Sequence, residues 1–195
     1  MLIHQSLIGT INMKTFLKVF GSFTLLFVVV GLSLSNNINI RRSITIDAPF
    51  SVIHSQVNNL NQWTEWSPWL TMDPTIKTTM GDIQSGVGAH QSWVGQSGAG
   101  KLTFTESSEN SGVVYDMSFE GDSTMYQAGF DYQQSGNKTL VTWYMTGEMQ
   151  PIIIGNYFAQ IMDALMGDSF TTGLEKLKDV SEKMSVKDSS MPVAE

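Results

Sequence analysis

The sequence predicts an α+β fold, an antiparallel sheet of about seven strands packed against one long C-terminal helix, with a hydrophobic segment ahead of it. Three observations carry this reading. Residues 19–40 contain no charged side chain. Apolar residues then recur at every second position through most of 38–146, in runs separated by glycine-rich turns, which is the pattern of half-buried strands. From 156 to 184 the apolar spacing becomes approximately helical.

The hydrophobic segment comes first. As a helix rising about 1.5 Å per residue, 19–40 spans about 33 Å, enough for the hydrocarbon core of a bilayer. Its strongly apolar part, 19–34, is short for a span, and Ser33-Leu34-Ser35 offers small residues for cleavage. Two expectations therefore stand: a single-pass membrane anchor, or a signal peptide that is removed on export. Lys14 and Lys18 form a basic flank after Met13, which makes Met13 an alternative start to Met1. Arg41 and Arg42 on the other side balance that flank, so the positive-inside count is a tie. The acidic domain that follows favours an extracytoplasmic location. Residues 1–40 are read as tail and membrane or signal segment, 41–184 as the folded domain and 185–195 as a flexible tail.

Each element of the domain has a local reason. Ile38, Ile40, Ile44 and Ile46 share one face of the first strand, and Arg42 intrudes on it, either as a strand-end residue or as a cation inside a cavity. Ala48-Pro49 stops the strand and suits the first turn of a helix, whose buried stripe is Ile53, Val57 and Leu60. Asn61 is the expected cap of a second short helix through Trp66, ended by Pro68. Strands follow over 75–80, 89–94 and 101–106, with Leu102 and Phe104 on one face of the third. The turn 95–100 has the glycine spacing of neither a phosphate loop nor a dinucleotide fold, so it reads as a hairpin.

Three longer strands place Val113, Tyr115, Met117 and Phe119, then Tyr126, Ala128, Phe130 and Tyr132, then Thr139, Val141, Trp143 and Met145 on one face. That apolar face needs a cover. Phe158, Met162, Leu165, Phe170, Leu174, Leu177 and Val180 supply it as a helix, in which Gly167 and Gly173 each cost about 1 kcal/mol relative to alanine and are expected to serve close packing or a kink.

Composition narrows the function. Lys14 and Lys18 are the only charged residues before Arg41, which leaves nine Lys and Arg against 18 Asp and Glu, a net charge of −9 for 41–195 against −7 for the whole chain. An acidic domain is a poor fit to nucleic acid. The chain has no cysteine, which excludes disulfides and thiolate chemistry. Its three histidines, His4, His54 and His90, are scattered, so no metal and no other cofactor is expected.

Several stretches together resemble one family. Arg42-Ser-Ile-Thr-Ile-Asp-Ala-Pro49, Trp63-Thr-Glu-Trp66-Ser-Pro-Trp69, Met72-Asp-Pro74, Gly86-Val-Gly88, Trp93-Val-Gly95 and Phe170-Thr-Thr-Gly-Leu174 look like the SRPBCC superfamily of START domains and the birch pollen allergen, in its bacterial polyketide cyclase/dehydrase-like branch. The resemblance covers about 39–182. It implies a helix-grip fold, in which a curved antiparallel sheet wraps the long helix around an apolar cavity. It does not imply a reaction, because members include lipid carriers, receptors and cyclases.

The residues set out the competing functions. Glu106 has the parity of Leu102 and Phe104, which would turn it inward as a general acid or base of raised pKa. His90 and Asp116 are the other acid/base candidates, although their parity favours solvent. No catalytic set appears at a recognisable spacing. Trp63, Trp66 and Trp69 either pack the short helices or form an apolar lip. Trp93, Tyr115, Phe130 and Trp143 on the sheet, with Phe158, Met162, Leu165 and Met166 on the helix, are the expected cavity lining. The expected function is a membrane-tethered binder of a hydrophobic small molecule or lipid, without catalysis. The alternatives are an enzyme acting on an aromatic or polyketide-like substrate and an envelope interaction protein with a filled core.

Overall fold

The alternation that begins at Ile38 folds as β1 (Asn37–Ile46), which pairs antiparallel with the last strand of the sheet, Ile40 opposite Met145 and Ile44 opposite Val141. The computed structural model describes residues 12–189. His4, the residues ahead of Asn12 and the tail beyond Ser189 lie outside the described residues.

After β1 come α2 (Phe50–Val57), a 3-10 turn (Leu60–Gln62), α3 (Trp63–Trp66) and α4 (Trp69–Met72), with α1 (Met13–Ser33) preceding them all. The strands β2 (Lys77–Met80), β3 (His90–Gly95), β4 (Gly98–Ser108), β5 (Gly112–Phe119), β6 (Tyr126–Ser135) and β7 (Lys138–Glu148) complete one antiparallel sheet of order β1-β7-β6-β5-β4-β3-β2. The last element is α5 (Ile154–Ser189). The helix continues through 185–189, a stretch whose composition reads as tail.

Local chemistry explains the short helices. Ile53, Val57 and Leu60 are fully buried, as the spacing predicts. The cap, however, is Asn59 rather than Asn61: its side-chain oxygen accepts from the Asn61 backbone N–H at 3.0 Å, and the first turn is 3-10. The indole N–H groups of Trp63 and Trp66 donate to the carbonyls of Val57 at 2.8 Å and Gln56 at 3.3 Å. Both carbonyls belong to the last turn of α2, where they have no partner within the helix.

Helix α5 lies mainly against β1 and the short helices. Two glycines allow it to come close. A Cβ on Gly173 would sit 2.6 Å from the Trp143 ring, and one on Gly167 would sit 1.8 Å from the Arg42 guanidinium. Arg42 crosses this gap to Asp163 in a two-pronged pair, 2.8 and 3.1 Å, so it is the edge of the helix packing and not a cation within a cavity. Because α5 covers the β1 side, it does not lie over the inner face of β2 to β5, which only the short helices approach.

Helix α1 contains 21 residues, and an 18-residue stretch of it has a mean hydropathy of 2.0, the length and composition of a membrane span or of a signal sequence. At about 1.5 Å per residue it is about 31 Å long. Its C-terminal turn rests on α5.

Candidate apolar ligand site

A cavity of about 390 Å³ occupies the space that α5 leaves open. Its floor is the inner face of β4, β5 and β7, with Leu102, Tyr115, Met117, Phe119, Trp143 and Met145. One wall is the β2–β3 edge, with Ile76, Thr78, Met80, Gln91 and Trp93, and the other is made by α3, α4 and the stretch of α5 from Leu165 to Phe170. Such a volume is at the small end for sites that take drug-sized ligands.

Aromatic stacking shapes the inner end. The Trp143 ring lies between Phe170, at 4.3 Å between centroids, and Phe130, at 4.9 Å. Trp69 meets Trp143 and Phe170 edge-on. The Trp143 indole donates to the Tyr115 hydroxyl at 3.0 Å. Since that oxygen accepts the bond, the phenolic proton remains available to a ligand. Burial pushes the Tyr115 phenol well above its ordinary value of 10.0, so it stays neutral.

The expected lining residues divide into two groups. Trp63, Trp69, Trp93, Tyr115, Trp143, Leu165 and Met166 border the cavity. Trp66 and Phe130 do not; both are closed off in the aromatic core, where they meet edge-on at 5.7 Å. Met162 packs on that core without reaching the cavity, and Phe158 is on an exposed face of α5. Helical spacing groups these residues, but it does not say which side of the stripe meets the gap in the sheet.

None of the three acid/base candidates enters the cavity. Glu106 is exposed. A β-bulge between Phe104 and Glu106 inserts Thr105, so Glu106 faces Val114 and the inward parity of Leu102 and Phe104 is lost. Ser107 takes the inward place and contacts His54 and Asn58. His90 is on the outer side of β3, against Gly81, whose ideal Cβ would lie 2.7 Å from its ring. Asp116 alternates with the lining residues Tyr115 and Met117 and so faces outward.

One carboxylate at the cavity did not stand out as a site residue in the sequence. Asp73 accepts from the hydroxyl and backbone N–H of Ser97 on one oxygen and from those of Thr75 on the other. These bonds, the Ser97 hydroxyl foremost, hold its carboxyl well below the ordinary carboxylate range. Asp73 is thus an ionised clamp that fastens the β3–β4 turn to the end of α4. The legible signal was Asp-Pro-Thr, a sequence suited to an Asx turn. Gln91 was legible too, by its shared parity with Trp93. Among the described residues, no group of three or more His, Asp or Glu side chains is placed to hold a metal ion.

The family model described as polyketide cyclase / dehydrase and lipid transport matches residues 37–182, from β1 into α5. The chain belongs to the polyketide cyclase / dehydrase and lipid transport family. Its SRPBCC-type helix-grip fold recurs in solved structures. A Thermobifida fusca protein is similar with a TM-score of 0.57 at 18% identity, over 75% of this chain and 94% of its own. Protein CV1439 of Chromobacterium violaceum gives 0.56 at 12%, over 74% and 96%. The di-domain aromatase/cyclase StfQ of the steffimycin biosynthetic pathway gives 0.57 at 6%, over 77% of this chain and 52% of that one. At these identities the likeness is one of fold. No curated protein matches the chain. The cavity of this chain is apolar, and the titratable groups that line it are a neutral tyrosine and a carboxylate locked in hydrogen bonds.

Proposed function

We propose that this protein is a membrane-tethered, non-catalytic binder of a hydrophobic small molecule or lipid. The observation that carries the reading is the chemistry of the cavity. Aromatic rings, methionines and leucines line it, and no side chain in it is able to exchange a proton near neutral pH. General acid/base catalysis needs a group whose pKa lies near the working pH and whose atoms reach the substrate. Asp73 is ionised and fully occupied by its hydrogen bonds, Tyr115 is neutral, and Glu106, His90 and Asp116 are outside. The Tyr115 hydroxyl and the Gln91 amide suit one polar end of an otherwise apolar ligand. Tethering is supported by α1, through its length and composition.

Native mass spectrometry of the full chain, released from membranes in detergent, tests the proposal. The expected result is a co-purifying apolar molecule, and its loss in Met117→Trp, which fills the floor of the cavity. An equal bound mass in the parent and in Met117→Trp would overturn it, as would an empty parent that fails to take up a fluorescent fatty acid.

A further inference from the structure

We infer that the first half of α5 is a bilayer-contacting surface that brings the mouth of the cavity to the membrane, so that the ligand exchanges with lipid and not with water. The inference rests on the reading of α1 as a retained membrane span.

The end of α1 is joined to the domain through side chains of α5. The side-chain amide of Asn156, a buried residue, donates to the carbonyls of Gly31 at 2.7 Å and Leu34 at 2.8 Å at the end of α1, where the Gly31 carbonyl also accepts the Leu34 N–H at 3.3 Å. Tyr157 donates its hydroxyl to the Phe27 carbonyl at 2.7 Å and stacks on the Phe27 ring, with centroids 4.5 Å apart. Gln160 donates to the Ser35 carbonyl at 2.8 Å. Gly31 has no side chain where Ile153 needs the room, since a Cβ there would lie 2.7 Å from Ile153 Cγ2. The end of α1 is therefore fixed to α5 in direction as well as position. A span that leaves the bilayer at this join places the adjoining part of α5 at the membrane surface.

That part of α5 has the composition the location requires. Asn156, Tyr157 and Gln160 face α1, while Ala159, Met162 and Met166 face the core. Ile154, Phe158, Ile161 and Leu165 form a third stripe, at helical spacing, and are between 47% and 61% exposed. From 149 to 167 the only charged residue is Asp163, and Arg42 pairs with it. Beyond Gly167 the same helix carries Asp168, Glu175, Lys176, Lys178 and Asp179. The change from apolar to charged along one continuous helix is what a helix passing from the membrane interface into water shows. An uncharged outer stripe beside an apolar span fits lipid as its occupant.

The stripe also runs into the site. Leu165 belongs to it and borders the cavity, and across the mouth Leu70 and Met72 are exposed while lining the same space. A ligand leaving the bilayer at Leu165 would enter the cavity along a continuous apolar path.

The absence of cysteine permits single spin labels in the full chain, reconstituted in phosphatidylcholine vesicles. Labels at Phe158→Cys and Leu165→Cys are expected to collide with oxygen in preference to a soluble nickel chelate, as a label at Phe23→Cys does, and a label at Glu175→Cys is expected to show the reverse. If 158 and 165 behave like 175 while 23 remains in lipid, the surface is refuted and the tether stands. If 23 is also exposed to the chelate, both fail. Shielding of 158 and 165 from both agents would mean that a protein covers the stripe, which overturns the inference as well.

Discussion

Trp143 on β7 donates its indole proton to the hydroxyl of Tyr115 on β5 at 3.0 Å, reaching over the intervening β6 on the buried face of the sheet. This bond satisfies the one polar atom of a ring otherwise stacked between two phenylalanines. In Tyr115→Phe the indole N–H is left buried without an acceptor, at a cost of about 1–3 kcal/mol. Urea denaturation followed by tryptophan fluorescence is expected to show a lower midpoint at unchanged slope. The same variant should weaken ligand retention, because the remaining hydroxyl proton of the cavity floor is gone. A midpoint equal to the parent's would mean that the bond contributes nothing.

The approach of α5 to β1 depends on one glycine. Gly167→Ala would drive a methyl group into the Arg42 guanidinium, 1.8 Å from the ideal Cβ position. Either the arginine leaves Asp163 or the helix shifts, and overpacking of this kind costs about 1–3 kcal/mol. Gly21, which has nothing within 4 Å of its ideal Cβ, is the control. Gly21→Ala should melt as the parent does, and Gly167→Ala several degrees lower.

Stability should fall in acid, with Asp73 as a main cause. Folding lowers the Asp73 pKa, through Ser97 and Thr75, so the unfolded chain binds the proton more tightly. Its contribution is complete above the ordinary carboxylate value of about 4 and is lost as the pH drops from there towards the folded value. Asp163, lowered by its bond to Arg42, acts in the same direction. His54, held by burial below 6.5, adds a loss that begins at higher pH, because the unfolded imidazole takes up its proton first. Melting temperatures from neutral pH down to about pH 3 are expected to decline, and Asp73→Asn should start lower and decline less steeply. Parallel curves for the two proteins would remove Asp73 from the account.

The join of α1 to the domain should depend on Asn156. Its amide closes the carbonyls of Gly31 and Leu34, and Asn156→Ala opens them to water. Limited chymotrypsin digestion of the detergent-solubilised chain is expected to cut after Leu34 several-fold faster in the variant, with the sheet and α5 still resistant. An unchanged rate would show that the stacking of Tyr157 on Phe27 suffices to hold the join.

Glu106 and Phe158 show where local pattern stops being informative. Period-two parity holds along β4 only as far as Phe104, because one inserted residue is enough to exchange the faces of a strand and nothing around Thr105 announces the bulge. Helical spacing groups Phe158 with Phe170, yet the first is on the exposed outer stripe and the second is stacked on Trp143. Trp66 and Phe130 are aromatic residues of the expected kind in the expected elements, and packing closed them off.

By itself, the sequence determined the elements and their order: an apolar N-terminal segment, strands with one apolar face and a long covering helix with two glycines in it, for close packing or a kink. These follow from hydrophobic periodicity and backbone preferences, which act over a few residues. Only the tertiary structure decided that α5 lies over β1 and leaves β2 to β5 open, that Arg42 turns to Asp163, that Asp73 is locked, and that the end of α1 is clasped by Asn156, Tyr157 and Gln160. Each of these depends on groups far apart in the chain meeting in space, and their position relative to one another is set by the packing of the whole sheet against the helix.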